Sequence, residues 1–131
     1  MGAVVSELCV DARDPRAQAR WWAEVLGWRV VLDPDDDEVV ELVPPDGAAT
    51  PWLFARVPEA KQVKNRLHVD LRPRDGEDQA GELARLLALG ATRVDVGQAE
   101  VAWHVLADPE GNEFCLLHRT PAEVAADEHP A

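Results

Sequence analysis

The sequence predicts an α+β domain of two βαβββ repeats, whose strands form a curved mixed β-sheet cup with the helices on its outer face. Three observations predict it. The chain is internally similar: Glu7 to Val30 reads ELCVDARDPRAQARWWAEVLGWRV, and His68 to Val94 reads HVDLRPRDGEDQAGELARLLALGATRV. Each stretch opens on alternating residues, passes an Asp (Asp14, Asp75), runs through a helical pattern and ends in Leu-Gly followed by Arg-Val. Each is then followed by short strand-like runs, broken by the turn signals Pro44-Pro45-Asp46-Gly47 and Asp108-Pro109-Glu110-Gly111-Asn112. The shift that sets Asp75 on Asp14 also sets His68 on Glu7, so two ionisable residues fall at repeat-related positions.

In chain order, Ala3 to Val10 reads as a strand, with Leu8 and Val10 on one face and Glu7, Cys9 and Asp11 on the other. Asp14-Pro15 joins an N-cap acid to a proline suited to the first helical position, and the helix runs to Val25 or Leu26, where Gly27 stops it. Strands follow at Trp28 to Leu32, Val39 to Val43 and Trp52 to Val57; the acidic run from Asp33 to Glu38 reads as a solvated turn. Repeat one therefore spans 3–57, and 58–65 is a linker. Repeat two, 66–118, opens on the alternating strand Arg66 to Arg72. Its helix spans Gly76 to Ala88, with Leu83, Leu86 and Leu87 at core spacing, and Gly90 stops it. Its last strands are Thr92 to Val96, Val101 to Ala107 and Glu113 to His118. Residues 119–131, poor in apolar bulk, read as a flexible tail.

At 131 residues, 47% hydrophobic and 29% charged, the chain has the size and composition of one globular domain, 3–118. Its formal charge of −12 argues against nucleic acid and against an anionic membrane surface. No run is long and apolar enough to span a bilayer, and no stretch has the layout of a signal peptide. Two cysteines, Cys9 and Cys115, do not make a disulfide framework, so a reducing cytoplasm is the expected address.

The candidate site residues follow from these positions. Glu7 and His68 offer a general acid/base pair if they face each other. Arg66 and Asp70 flank His68 two residues away on the same strand face, where they can orient it or bind a ligand. Trp52, Phe54 and Trp103 lie on strands expected to line the cup and can stack on a planar or cationic ligand. Each also has a structural reading: a hydrogen-bonded strand histidine, core aromatics, and in Cys115 a small buried side chain.

The duplication, the Leu26-Gly27-Trp28 after the first helix, and Asp108-Pro109-Glu110-Gly111-Asn112-Glu113-Phe114 together resemble the vicinal oxygen chelate superfamily. That group includes glyoxalase I, extradiol dioxygenases, methylmalonyl-CoA epimerase, and fosfomycin and bleomycin resistance proteins. Lys64 to Leu71 with Asn112 to Cys115 resembles more narrowly the glyoxalase-like domains of actinobacteria. The resemblance implies a pocket between the repeats for a small organic molecule, a homodimer, and one divalent metal ion. The implied ligands are Glu7, where the family more often has His or Gln; His68, which matches; and Cys115, where the family usually has Glu. The fourth-strand position, Phe54 to Arg56, offers no ligand. A Glu, His and Cys set favours zinc over manganese or nickel. The implied function is that of a divergent lyase, isomerase or dioxygenase, or alternatively of a metal-free binding or sequestration protein resembling bleomycin resistance proteins.

Overall fold

The computed structural model describes residues 1–47, 49–98 and 100–128. The chain falls into two compact units, Met1–Ala60 and Lys61–Ala131, divided inside the stretch that the sequence marks as a linker.

The first unit runs β1 (Leu8–Ala12), α1 (Pro15–Leu26), β2 (Arg29–Asp33), β3 (Asp36–Val43) and β4 (Trp52–Arg56). Its sheet has the order β1-β4-β3-β2, with β1 parallel to β4 and the other pairs antiparallel. A parallel pair needs a long crossover, and α1 with the β2–β3 hairpin supplies it. The helix starts as predicted: the Asp14 carboxylate accepts from the Ala17 N–H at 3.1 Å, and Pro15 fills the first turn. It ends at Gly27, whose φ of 70° lets its N–H reach the Ala23 carbonyl at 2.8 Å. The acidic run is exposed, as expected, with its turn confined to Pro34 and Asp35, and with Asp36 already opening β3. Asp33 and Asp36 each accept from a backbone N–H two residues on, at 2.9 Å, which turns the chain between β2 and β3. The buried face of α1 packs on β3 and β4, where Trp22, Val25, Val40, Leu42, Trp52 and Phe54 form the core.

The second unit runs β5 (Val69–Leu71), α2 (Gln79–Ala88), β6 (Thr92–Arg93), β7 (His104–Ala107), β8 (Glu113–Leu116) and α3 (Pro121–Glu128). Its sheet order, β5-β8-β7-β6, repeats that of the first, again with the opening strand parallel to the closing one. The architecture is thus the predicted α+β duplication, with two four-stranded mixed sheets. Leu86, Leu106, Phe114 and Leu116 are its most buried apolar residues.

The elements of this unit are shorter than their sequence patterns. The alternation of Arg66 to Arg72 yields only Val69–Leu71, because β8 pairs with those three residues alone and leaves Leu67 84% exposed. Val101 to Trp103 bend away before β7 begins at His104. The helix starts at Gln79 rather than Gly76, because Asp78 is its cap and accepts from the Gly81 N–H at 2.8 Å.

The stretch read as a flexible tail contains α3, with a reciprocal cap. The Thr120 hydroxyl accepts from the Glu123 N–H, and the Glu123 carboxylate accepts from the Thr120 N–H, both at 3.2 Å. Asp75 also accepts from the Ala122 N–H at 2.8 Å, tying the helix to the loop before α2. The end of that tail, 129–131, lies outside the described residues.

The turn between β7 and β8 is built on Asp108, which is 4% exposed. Its carboxylate accepts from the backbone of Glu110 and Asn112 and from the Asn112 side chain, at 2.9–3.1 Å. Gly111 supplies a φ of 90° and donates to the Asp108 carbonyl at 2.9 Å. Asp108→Ala is expected to leave these donors unpaired and to cost about 2–3 kcal/mol of stability, read by chemical denaturation.

Candidate functional site

The short strand β5 and its neighbour β8 place the candidate site. In their parallel register Asp70 is opposite Cys115, and His68 precedes Asp70 by two residues. His68 Nδ1 lies 3.1 Å from Asp70 Oδ1. One ligand atom from each of His68, Asp70 and Cys115 lies within 4.8 Å of the others. His68 and Asp70 are exposed and Cys115 is buried. Burial pushes the Cys115 thiol pKa up, and the neighbouring Asp70 pushes it the same way by charge and by hydrogen bond, against a smaller downward pull from Lys64.

These three residues border a cavity of about 490 Å³ in the second unit. That is within the ordinary range for small-molecule pockets. Lys64, Trp103 and Glu113 border it too, with apolar side chains between. Trp103 is 41% exposed and presents a large ring there.

Glu113 is not free to bind a ligand. Lys61 Nζ meets one of its oxygens at 2.8 Å, and the Asn65 N–H donates to the other at 3.1 Å. Both side chains are mostly buried, at 18% and 11% exposure for Lys61 and Glu113. Lys61 also donates to the Val63 carbonyl at 2.7 Å. The pair straps residues 61–65 across β8 and carries Lys64 to the cavity wall. Burial raises the Glu113 carboxyl pKa, but the Lys61 ammonium and the backbone donors more than offset it, so the group titrates below its ordinary 4.5. A carboxylate held low stabilises the fold above its unfolded pKa, and this contribution is lost as pH falls through the folded value. Glu113→Gln is therefore expected to destabilise the protein by about 1.5–3 kcal/mol at pH 7, the scale of a hydrogen bond to a charged group, because it leaves the Lys61 charge unmatched. The difference from wild type should shrink in acid, which denaturation at pH 7 and pH 3 would measure.

Of the other residues singled out from the sequence, Glu7 lies exposed in the first unit, immediately before β1. Trp52 and Phe54 do not open onto a ligand wall. Trp52 packs against Trp22, Trp28 and Phe54 at centroid distances of 5.1, 5.8 and 6.3 Å, and Phe54 is 0% exposed. The alternation of β4 puts both on the face that α1 covers. Arg66 is exposed and does not line the cavity. Sequence reasoning missed Lys61, Lys64 and Glu113. Glu113 meets Lys61 and Asn65 across 52 and 48 positions, with no period to mark the contacts.

The donor set suits a divalent ion of borderline softness. Zinc accepts imidazole, carboxylate and thiolate together, at separations of roughly 3.5 Å between ligand atoms. Among the described residues, no helix is long and apolar enough to cross a membrane.

The profile of a family described as a glyoxalase-like domain matches residues 7–117. No curated protein sequence matches the chain. Among solved structures, the genomically encoded fosfomycin resistance protein FosX from Listeria monocytogenes, complexed with Mn(II) and sulfate, superposes with a TM-score of 0.68 at 14% identity, over 98% of this chain and 100% of that one. FosX from Mesorhizobium loti gives 0.66 at 17% identity, over 96% and 99%. A glyoxalase/bleomycin resistance protein/dioxygenase family enzyme from Burkholderia phytofirmans gives 0.59 at 20% identity, over 85% and 94%.

Proposed function

Because this chain belongs to the glyoxalase-like domain family, within the vicinal oxygen chelate fold, we propose that it binds one divalent metal ion, preferably zinc, and acts as a divergent lyase, isomerase or dioxygenase on a small organic molecule. The observation that carries the reading is the convergence of His68, Asp70 and Cys115 at the edge of the 490 Å³ cavity. A family relative in fold, the Listeria fosfomycin resistance protein, is complexed with Mn(II). The exchange of a carboxylate for a thiolate at Cys115 shifts the preference here towards zinc.

The residues divide the work. With its proton on Nε2, His68 would offer the Nδ1 lone pair to the ion, beside Asp70 Oδ1 at 3.1 Å, a spacing two ligands of one ion can share. Asp70 would ligate through Oδ1 and keep its second oxygen for a substrate proton. Cys115 must lose its proton to ligate, and burial resists that loss until a cation compensates. The bound ion would supply Lewis-acid polarisation of a substrate oxygen. Trp103 and the apolar wall would hold the substrate body and exclude water.

The exposure of Trp103 supports a second reading, a metal-free binding protein that holds its ligand by stacking. A cytoplasmic address and a homodimer belong to either reading; sedimentation tests the latter. The deciding experiment is metal analysis of untagged protein, followed by titration with zinc and manganese. One zinc per chain, bound more tightly than manganese, is the expected result. No binding of either ion at micromolar concentration would sink the metal reading and leave the metal-free one. Glu7→Ala in the same titration shows whether the first-repeat acid contributes.

A further inference from the structure

Resting on that metal reading, we infer that the cavity selects a planar ligand carrying an acidic group, with Lys64 as the residue that reads the acid. The two charges of a bound ion would be matched by the Asp70 carboxylate and the Cys115 thiolate. Glu113 is already matched by Lys61 at 2.8 Å. Gln98 is spent within its own loop: its side chain accepts from the Val96 N–H at 2.7 Å and donates to the Val94 carbonyl at 3.1 Å. Lys64 is then the uncompensated charge on the cavity wall. It makes a long hydrogen bond of 3.4 Å to the Asn65 carbonyl, and no carboxylate pairs with it among the described residues.

The metal-loaded cavity therefore carries one net positive charge, in a chain whose formal charge is −12. The surface acids repel an anion only over a screened range of about 8 Å at physiological salt, whereas Lys64 acts at hydrogen-bond distance. The same cavity offers Trp103, a flat face 41% exposed, with Val96, Val105 and Leu117 as apolar lining. A ring against Trp103 with an acid on Lys64 uses both features; a cation would meet Lys64 unfavourably.

The test uses zinc-loaded protein and two probes, titrated calorimetrically without oxygen: 3,4-dihydroxybenzoate, and 3,4-dihydroxybenzamide, which keeps the ring and the vicinal hydroxyls but not the charge. The acid is expected to bind about tenfold more tightly than the amide, the scale of one charge-assisted hydrogen bond. Lys64→Gln should erase that ratio while leaving amide affinity unchanged, and Lys64→Arg should restore most of it. Equal binding of the two probes to wild type, or an unchanged ratio in Lys64→Gln, overturns the inference and leaves the metal reading intact. Binding of neither probe also overturns it. Zinc titration of the same preparation then tells whether the metal site has failed as well or only its assigned ligand class.

Discussion

Replacing Cys115 by Ser is expected to weaken zinc binding by more than about 100-fold while leaving the fold intact, because loss of a direct ligand should exceed the 10- to 100-fold cost of losing an outer-shell partner. Serine is nearly the same size, so β8 keeps its buried core residues Phe114 and Leu116, which alternate to the other face of the strand. What changes is the donor: a hydroxyl does not ionise near neutrality and is a poor zinc ligand. His68→Ala should have an effect of the same order, from an exposed position where truncation leaves no cavity. Cobalt makes the test specific. A cobalt-substituted protein with a thiolate ligand absorbs through sulfur-to-metal charge transfer, and that band should vanish in Cys115→Ser and persist, on weaker binding, in Asp70→Asn. A band that survives Cys115→Ser would remove the thiol from the site. Unchanged affinity in His68→Ala would remove the histidine.

Phe54→Ala should destabilise the protein by about 3–5 kcal/mol, the range for emptying a buried aromatic site. Phe54 is fully buried and packs beside Trp52, so its removal leaves a hole that neighbours on two sheet strands and a helix cannot fill without backbone movement. A residue acting on ligand would behave in the opposite way, with near-normal stability and weaker binding. Denaturation monitored by circular dichroism, alongside titration of a ligand into the variant under stabilising conditions, separates the two. Near-wild-type stability in Phe54→Ala would reopen its assignment to a binding wall.

These two residues also mark how far the sequence could be read. The duplication was legible because its cues are local: an Asp before each helix, a Leu-Gly stop after it, and an Asp-Pro-Glu-Gly-Asn turn whose Asp108 carboxylate accepts from Glu110 and Asn112. Asp14 capped α1 as its spacing required. For α2, Asp78 took the role, and Gly76, with its φ of 86°, belongs to the preceding turn. The cap at Thr120 and Glu123 was equally local but was outweighed by the polar composition of the tail around it.

The site was legible only in part. His68 and Asp70 share a face by strand alternation, and Cys115 follows from the turn, so all three could be named. Their meeting depends on the parallel register of β5 and β8, which no local pattern encodes. Alternation puts Trp52 and Phe54 on one face of β4 without saying which face the helix covers, and it covers theirs. The strap from Lys61 to Glu113 was invisible because a single long-range ion pair has no period.

The parallel pairing of opening and closing strands has a consequence for biosynthesis. In each unit the two partners lie roughly 45 residues apart, so neither sheet can close until its fourth strand has been made, and pairing this distant slows folding. The first unit is complete in sequence by Ala60, and its β1 can dock on β4 while most of the second is still being synthesised. Until then β1 leaves unpaired backbone groups beside the exposed Val4, Val5 and Leu8. Refolding from denaturant at high protein concentration offers that edge to strands of other molecules, whereas emergence one strand at a time offers it first to its own. Yield on refolding should therefore fall with concentration more steeply than yield during expression.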